Sequence, residues 1–215
     1  ALLIIGWFFV RRQLSQPFPL LPVDLLRIPI FSLSLGTSLC SFSAQMLAFV
    51  SLPFFLQNTL GLNSVDTGLL LTPWPLATMV MAPIAGRLVE RYHPGMLGGI
   101  GLIVFSIGLF SLSLLPPEPS HLNIIWRMLL CGAGFGLFQS PNNHTIITSA
   151  PRNRSGGASG LLGTARLLGQ TTGAAMVALM FNLFPEHGTH ASLILAGTLA
   201  GTGALVSLLR MTQKT

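Results

Sequence analysis

Five stretches of this chain carry no Asp, Glu, Lys or Arg: 38 residues between Arg27 and Asp66, 20 between Asp66 and Arg87, 26 between Arg91 and Glu118, 24 between Arg127 and Arg152, and 23 between Glu186 and Arg210. A helix needs about 20 mostly apolar residues to cross a hydrocarbon core of about 30 Å, and each stretch is long enough. A spanning strand would instead show about ten residues of apolar–polar alternation, and none of the five alternates. Of the 215 residues, 51% are hydrophobic and only 7% are charged, whereas a soluble domain is about 25% charged. The composition calls for lipid as solvent and for an all-α, polytopic membrane fold.

Breaker residues divide the chain into six expected spans, at 31–55, 68–89, 95–115, 122–146, 157–184 and 191–209, which form one six-transmembrane-helix bundle over 31–209. Residues 1–10, ALLIIGWFFV before Arg11 and Arg12, look like the tail of a truncated spanning helix; they lack the basic start and the cleavage site of a signal peptide. Residues 11–30 read as a proline-rich cytoplasmic linker along the membrane surface and 210–215 as a cytoplasmic tail. Charge gives an independent test of the threading. Arg11, Arg12 and Arg27 precede the first span, Arg87 and Arg91 follow the second, Arg152 and Arg154 the fourth, and Arg210 and Lys214 the sixth. Nine of the eleven basic residues thus fall in alternate loops, the pattern of cytoplasmic loops, so both ends of the lobe are expected on the cytoplasmic side. Arg127 and Arg166 are the exceptions.

Without a hydrophobic drive between them, membrane helices associate through small residues and interhelical hydrogen bonds. Gly156, Gly160, Gly163, Arg166, Gln170 and Gly173 share one face of the fifth span; Gly132, Gly136, Gln139 and Asn143 do so on the fourth, and Ser38, Ser41 and Gln45 on the first. The glycines are expected to pack helices. The polar members are expected to line a translocation cavity, since polar groups facing lipid are costly. Gln45, Gln139, Asn142, Asn143, Arg166 and Gln170 are the cavity candidates. Arg166 lies too deep for lipid and should face the interior, as a hydrogen-bonding post, a gate or a substrate contact. His144 reads as interfacial. Pro53, Pro73, Pro75, Pro83 and Pro141 should kink or interrupt their helices, as static bends or as hinges.

Several chemistries are disfavoured. The run GAGFG at 132–136 cannot form a strand–turn–helix phosphate loop inside an apolar span. No nucleophile–base cluster or metal spacing occurs, so neither catalysis nor a cofactor is expected. The net charge of +6 is not organised as a basic stripe with aromatics, which argues against nucleic acid. Cys40 and Cys131 lie in apolar spans and read as inert core thiols. All five acids, Asp24, Asp66, Glu90, Glu118 and Glu186, lie in loops or at span edges. An embedded proton-carrying carboxylate is therefore not expected in this lobe.

The stretch LPFFLQNTLGLNSVDTGLLLTPWPLATMVMAPIAGRLVERYHPG resembles the second lobe of the fourteen-helix drug:proton antiporters of the major facilitator superfamily, and so does CGAGFGLFQSPNNHTIITSAPRNRSGGASGLLGTARLLGQTTGAA. The likeness covers nearly all of residues 24–184 and is greatest to exporters of methyl viologen and quaternary ammonium compounds. It implies that the six helices are the C-terminal lobe of such a transporter. Gly86-Arg87-Leu88-Val89-Glu90-Arg91 resembles the superfamily's loop signature. By that resemblance Gly86 would permit close packing, while Glu90 and Arg91 would make charge contacts with a neighbouring helix end. Tyr92-His93-Pro94 departs from the signature's glycine and basic pair.

Together these features predict part of a secondary transporter that exports hydrophobic or cationic compounds in exchange for protons. Its expected partners are the lipid bilayer, the small-molecule cargo, protons and a missing N-terminal lobe. Export of a metabolite or siderophore, and a truncated subunit that does not transport, are the alternatives.

Overall fold

A computed structural model describes residues 22–210. The expected helix tail at 1–10, the linker up to residue 21 and the tail from residue 211 lie outside the described residues. Six helices follow one another: α1 (Pro29–Phe54), α2 (Ser64–Leu88), α3 (Pro94–Ser113), α4 (His121–Ser149), α5 (Ser155–Leu183) and α6 (Gly188–Leu209). No strand occurs among the described residues. The fold is the all-α bundle that the sequence predicts.

Local chemistry sets the ends. α1 and α3 start with Pro29 and Pro94 in the first turn, where a missing N–H costs nothing. Asn63 caps α2, its Oδ1 accepting the Asp66 N–H at 2.8 Å, and Ser120 caps α4 through the Asn123 N–H. These caps lie outside the expected spans, so α2 starts four residues before its expected boundary of 68 and α4 one residue before its expected boundary of 122; α4 also ends three past its expected boundary of 146. The prolines act unequally. Pro53 precedes a π-helical turn at Phe55–Thr59, and Pro73 follows a break at Thr72 that divides Ser64–Leu71 from Pro73–Leu88. Pro83 and Pro141 sit inside helices that continue through them. Gly61, with φ +67°, turns the chain between α1 and α2.

α1, α3, α4 and α6 form the interior of the bundle, α2 packs outside α4, and α5 packs outside α1. Backbones meet where side chains are absent. A Cβ on Gly134 would lie 2.4 Å from the Phe105 nitrogen, one on Gly132 2.2 Å from the Trp74 carbonyl oxygen, and one on Gly173 2.5 Å from the Ser43 carbonyl oxygen. Hydroxyls cross the same seams. Ser43 donates to the Gly169 carbonyl at 3.0 Å, Thr78 to Gly132 at 3.0 Å, Ser106 to Gly197 at 2.7 Å and Ser207 to Gly95 at 3.0 Å. Each acceptor is a glycine carbonyl, which no side chain of its own shields. Neither cysteine is bonded, and Cys131 is buried against Gly108.

The glycine stripe expected to pack α5 divides. Gly173 packs on α1, but among the described residues nothing stands within 4 Å of a Cβ at Gly156, Gly160 or Gly163. The seam instead uses Gly169, which lies four residues before Gly173 and outside that stripe. Five of the six helices are long and apolar enough to cross a membrane; α5, with 29 residues, is long enough but more polar. Its polar residues include Thr164, Arg166, Gln170, Thr171 and Thr172. Before α1, the turn Val23–Arg27 buries Leu25 among Phe31, Ile146 and Leu162, and Asp24 forms an ion pair with Arg154. This part of the expected surface linker is docked on the bundle.

Candidate functional site

Four of the six cavity candidates converge. Gln45 on α1, Gln139 on α4, and Arg166 and Gln170 on α5 line one open concavity of about 380 Å³, together with Phe42, Phe49, Trp74, Thr78 and Phe135. Helical spacing explains the convergence. Phe42, Gln45 and Phe49 stand at i, i+3 and i+7 on α1, Phe135 and Gln139 at i and i+4 on α4, and Arg166 and Gln170 at i and i+4 on α5. The close approach of Gly169 and Gly173 to Leu39 and Ser43 brings α5 against α1. The Thr78 hydroxyl, shared between the Trp74 and Gly132 carbonyls, ties α2 to α4.

Aromatic rings floor the concavity. Phe42 and Phe135 meet edge to face at 5.5 Å, Phe49 and Trp74 at 4.8 Å, and Trp74 and Phe135 both contact Phe105 behind them. The Arg166 guanidinium carbon lies 4.9 Å from the Phe42 ring centroid, a cation–π contact. Arg166 thus lies at the concavity with a ring, rather than a carboxylate, as its partner. Two donors at this surface are buried without a hydrogen-bond partner among the described residues: Arg166 Nε and Trp74 Nε1, the latter in a side chain only 2% exposed. The apolar floor, three amides and one cation together offer contact area and hydrogen bonds to a small molecule. Among the described residues no group of three or more His, Cys, Asp or Glu could hold a metal.

Asn142 and Asn143 are not among the residues that line the concavity. Asn142 is 1% exposed; its Nδ2 donates to Ser38 Oγ at 2.7 Å and its Oδ1 accepts from Arg210 at 2.7 Å. Those bonds hold it in the seam with α1 and α6. Asn143 shares the face of Gln139 but lies one turn nearer the Arg87–Arg91 end. Of the loop signature, Gly86 approaches Ser140 at 3.4 Å for an added Cβ. Arg87, Glu90 and Arg91 are exposed and form no ion pair among the described residues.

The aromatics were absent from the sequence-based candidates, because a Phe or Trp in an apolar span reads equally well as core or as lipid contact. The available signal was their spacing from Gln45 and Gln139. Nothing comparable marks Trp74, whose place at the cavity depends on the packing of α2 against α4, where Gly132 meets the Trp74 carbonyl.

The sequence profile of the Major Facilitator Superfamily matches residues 1–174. Among curated relatives, the chain is 70% identical over 213 residues to the "Uncharacterized transporter YebQ" of Escherichia coli (strain K12), covering 99% of this chain and 47% of that protein. It is 28% identical to the multidrug efflux pump LfrA of Mycolicibacterium smegmatis, over 85% of this chain and 36% of the pump. It is 32% identical to the lincomycin resistance protein LmrB of Listeria innocua, over 66% of this chain and 30% of that protein. The chain spans about half the length, or less, of these relatives.

Proposed function

The chain belongs to the Major Facilitator Superfamily, and from that premise we propose that it forms the C-terminal lobe of a fourteen-helix secondary exporter in a bacterial inner membrane. The exporter moves hydrophobic, often cationic, drugs or toxic compounds outward in exchange for protons, with both ends of this lobe cytoplasmic. The observation that carries this is the concavity itself: three glutamines and Arg166 over a floor of Phe42, Phe49, Trp74 and Phe135, open on one side. An aromatic floor gives large contact area to flat apolar cargo, and amides orient it without demanding one shape. Names of relatives such as LfrA and LmrB support drug export. Alternating access would follow from this lobe rocking against a second one about the midplane site.

Asp66, Glu90, Glu118 and Glu186 lie in loops or at helix ends, and Asp24 is paired with Arg154. The proton carrier, and the carboxylate that offsets a cationic cargo, would therefore come from outside the lobe. The test uses the intact protein in inside-out vesicles. Ethidium should accumulate when a pH gradient is imposed and leave when it is collapsed; accumulation indifferent to the gradient, or none, would overturn the proposal.

Acceptor-rich or anionic cargo, such as a metabolite or siderophore, is favoured by one observation. Arg166 Nε and Trp74 Nε1 are buried donors at the cavity with no partner among the described residues. Competition of anionic aromatic compounds with ethidium transport separates the two cargoes.

A further inference from the structure

We propose that Arg210 anchors a second site, at the Arg87–Arg91 end of the lobe, that binds the phosphate group of an amphipathic anion. Arg210 is 1% exposed. Its Nη1 donates to Ser34 Oγ and Asn142 Oδ1, each at 2.7 Å, and its Nη2 to Ser207 Oγ at 2.5 Å. Asn142 is held in turn by Ser38, and Ser207 by the Gly95 carbonyl. The guanidinium is fixed by groups from α1, α4 and α6, and all of them are neutral. Its Nε has no partner among the described residues, and the ion pair found among those residues, Asp24–Arg154, does not include it.

A guanidinium does not deprotonate in a protein, and a buried charge without an opposite charge is strongly destabilising. The carbonyl ends of α4 and α6 offset part of it; an oxyanion would offset it in full. The space for one adjoins. Arg210 lines a cavity of about 470 Å³ between the ends of α1, α3, α4 and α6. His93, His144, Thr145 and Thr148 also line it, and among the described residues no Asp or Glu does. The Gly95 N–H donates to His93 Nδ1 at 3.1 Å, which leaves Nε2 as the protonated, donating nitrogen. His144 is exposed, and its ring makes no hydrogen bond or ion pair among the described residues. Ile28 and Ile30 add an apolar wall. One cation, imidazole donors and an apolar wall suit a phosphate ester better than a bare carboxylate. The site shares no lining residue with the aromatic concavity, so it does not depend on which cargo is exported.

Thermal unfolding of the intact protein, in detergent and in nanodiscs, tests the site with two probes. One is millimolar inorganic phosphate against chloride at constant ionic strength; the other is phosphatidylglycerol against phosphatidylcholine. Saturable stabilisation by phosphate supports the site and points to a soluble ligand. Stabilisation by phosphatidylglycerol alone supports it and assigns the ligand to a lipid headgroup. Arg210→Gln should abolish the effect. His144→Glu, at an exposed position that leaves the buried network intact, should weaken phosphate binding by about tenfold or more. The proposal fails if neither probe stabilises the wild type, or if His144→Glu responds as the wild type does.

Discussion

A guanidinium inside a membrane lobe must be surrounded by something other than lipid, and Arg166 and Arg210 meet that demand differently. Arg210 is enclosed by hydroxyls and an amide. Arg166 lies over the Phe42 ring, half-buried, at the edge of a concavity, where its charge acts on whatever enters. Arg166→Gln removes that charge while keeping a polar side chain of similar reach. In vesicles of the intact protein, transport of anionic aromatic compounds should fall about tenfold, while ethidium transport is unchanged or faster. An equal loss for both charges would mean that Arg166 is a structural post. Arg166, Gln45, Gln139 and Gln170 were legible in the sequence because a polar side chain in an apolar run has few tolerable places to point. Arg210 was legible only as the first residue of a tail. Its partners Ser34, Asn142 and Ser207 lie 176, 68 and 3 residues away, and no local pattern brings them together.

Among the helices, glycine carries two meanings that spacing alone does not separate. Gly132 and Gly134 in α4 face opposite neighbours, α2 and α3, and a Cβ at either would strike backbone. Gly160 in α5 faces open space within the lobe. Gly134→Ala should therefore destabilise the purified protein by ~1–3 kcal/mol, since the seam must open. Gly160→Ala should leave stability unchanged or raise it by up to ~1 kcal/mol, because alanine is the better helix former. Thermal unfolding of the two variants side by side checks both; equal losses would contradict the seams described above. Helix existence and order were legible, because uncharged runs of this length admit little else. Helix ends were less so, since Asn63 and Ser120 act as caps outside the expected spans. The direction in which a small residue faces depends on neighbours that only the assembled bundle supplies.

At the scale of the molecule, the basic residues predict that the Arg87–Arg91 turn and the Asn58–Ser64 turn lie on opposite sides of the membrane. Single cysteines placed in each turn of a cysteine-free variant should react with an impermeant maleimide from opposite sides; labelling from one side would refute the threading. The same picture makes α5 dependent on its neighbours. An arginine near the centre of a span costs ~2.5–3.5 kcal/mol on insertion scales, and Arg166 is the twelfth of 29 residues in Ser155–Leu183. To cross the membrane α5 would need its polar face already covered, by α1 on the Gly169–Gly173 seam and, on the open side, by whatever completes the concavity. Placed alone in a host protein with glycosylation reporters, segment 155–183 should insert in a minority of chains. Arg166→Leu should raise the ratio of inserted to uninserted chains more than tenfold. Efficient insertion of the unaltered segment would show that α5 needs no partner helix. The concavity would then be a feature of cargo binding alone, and not also of how the lobe assembles.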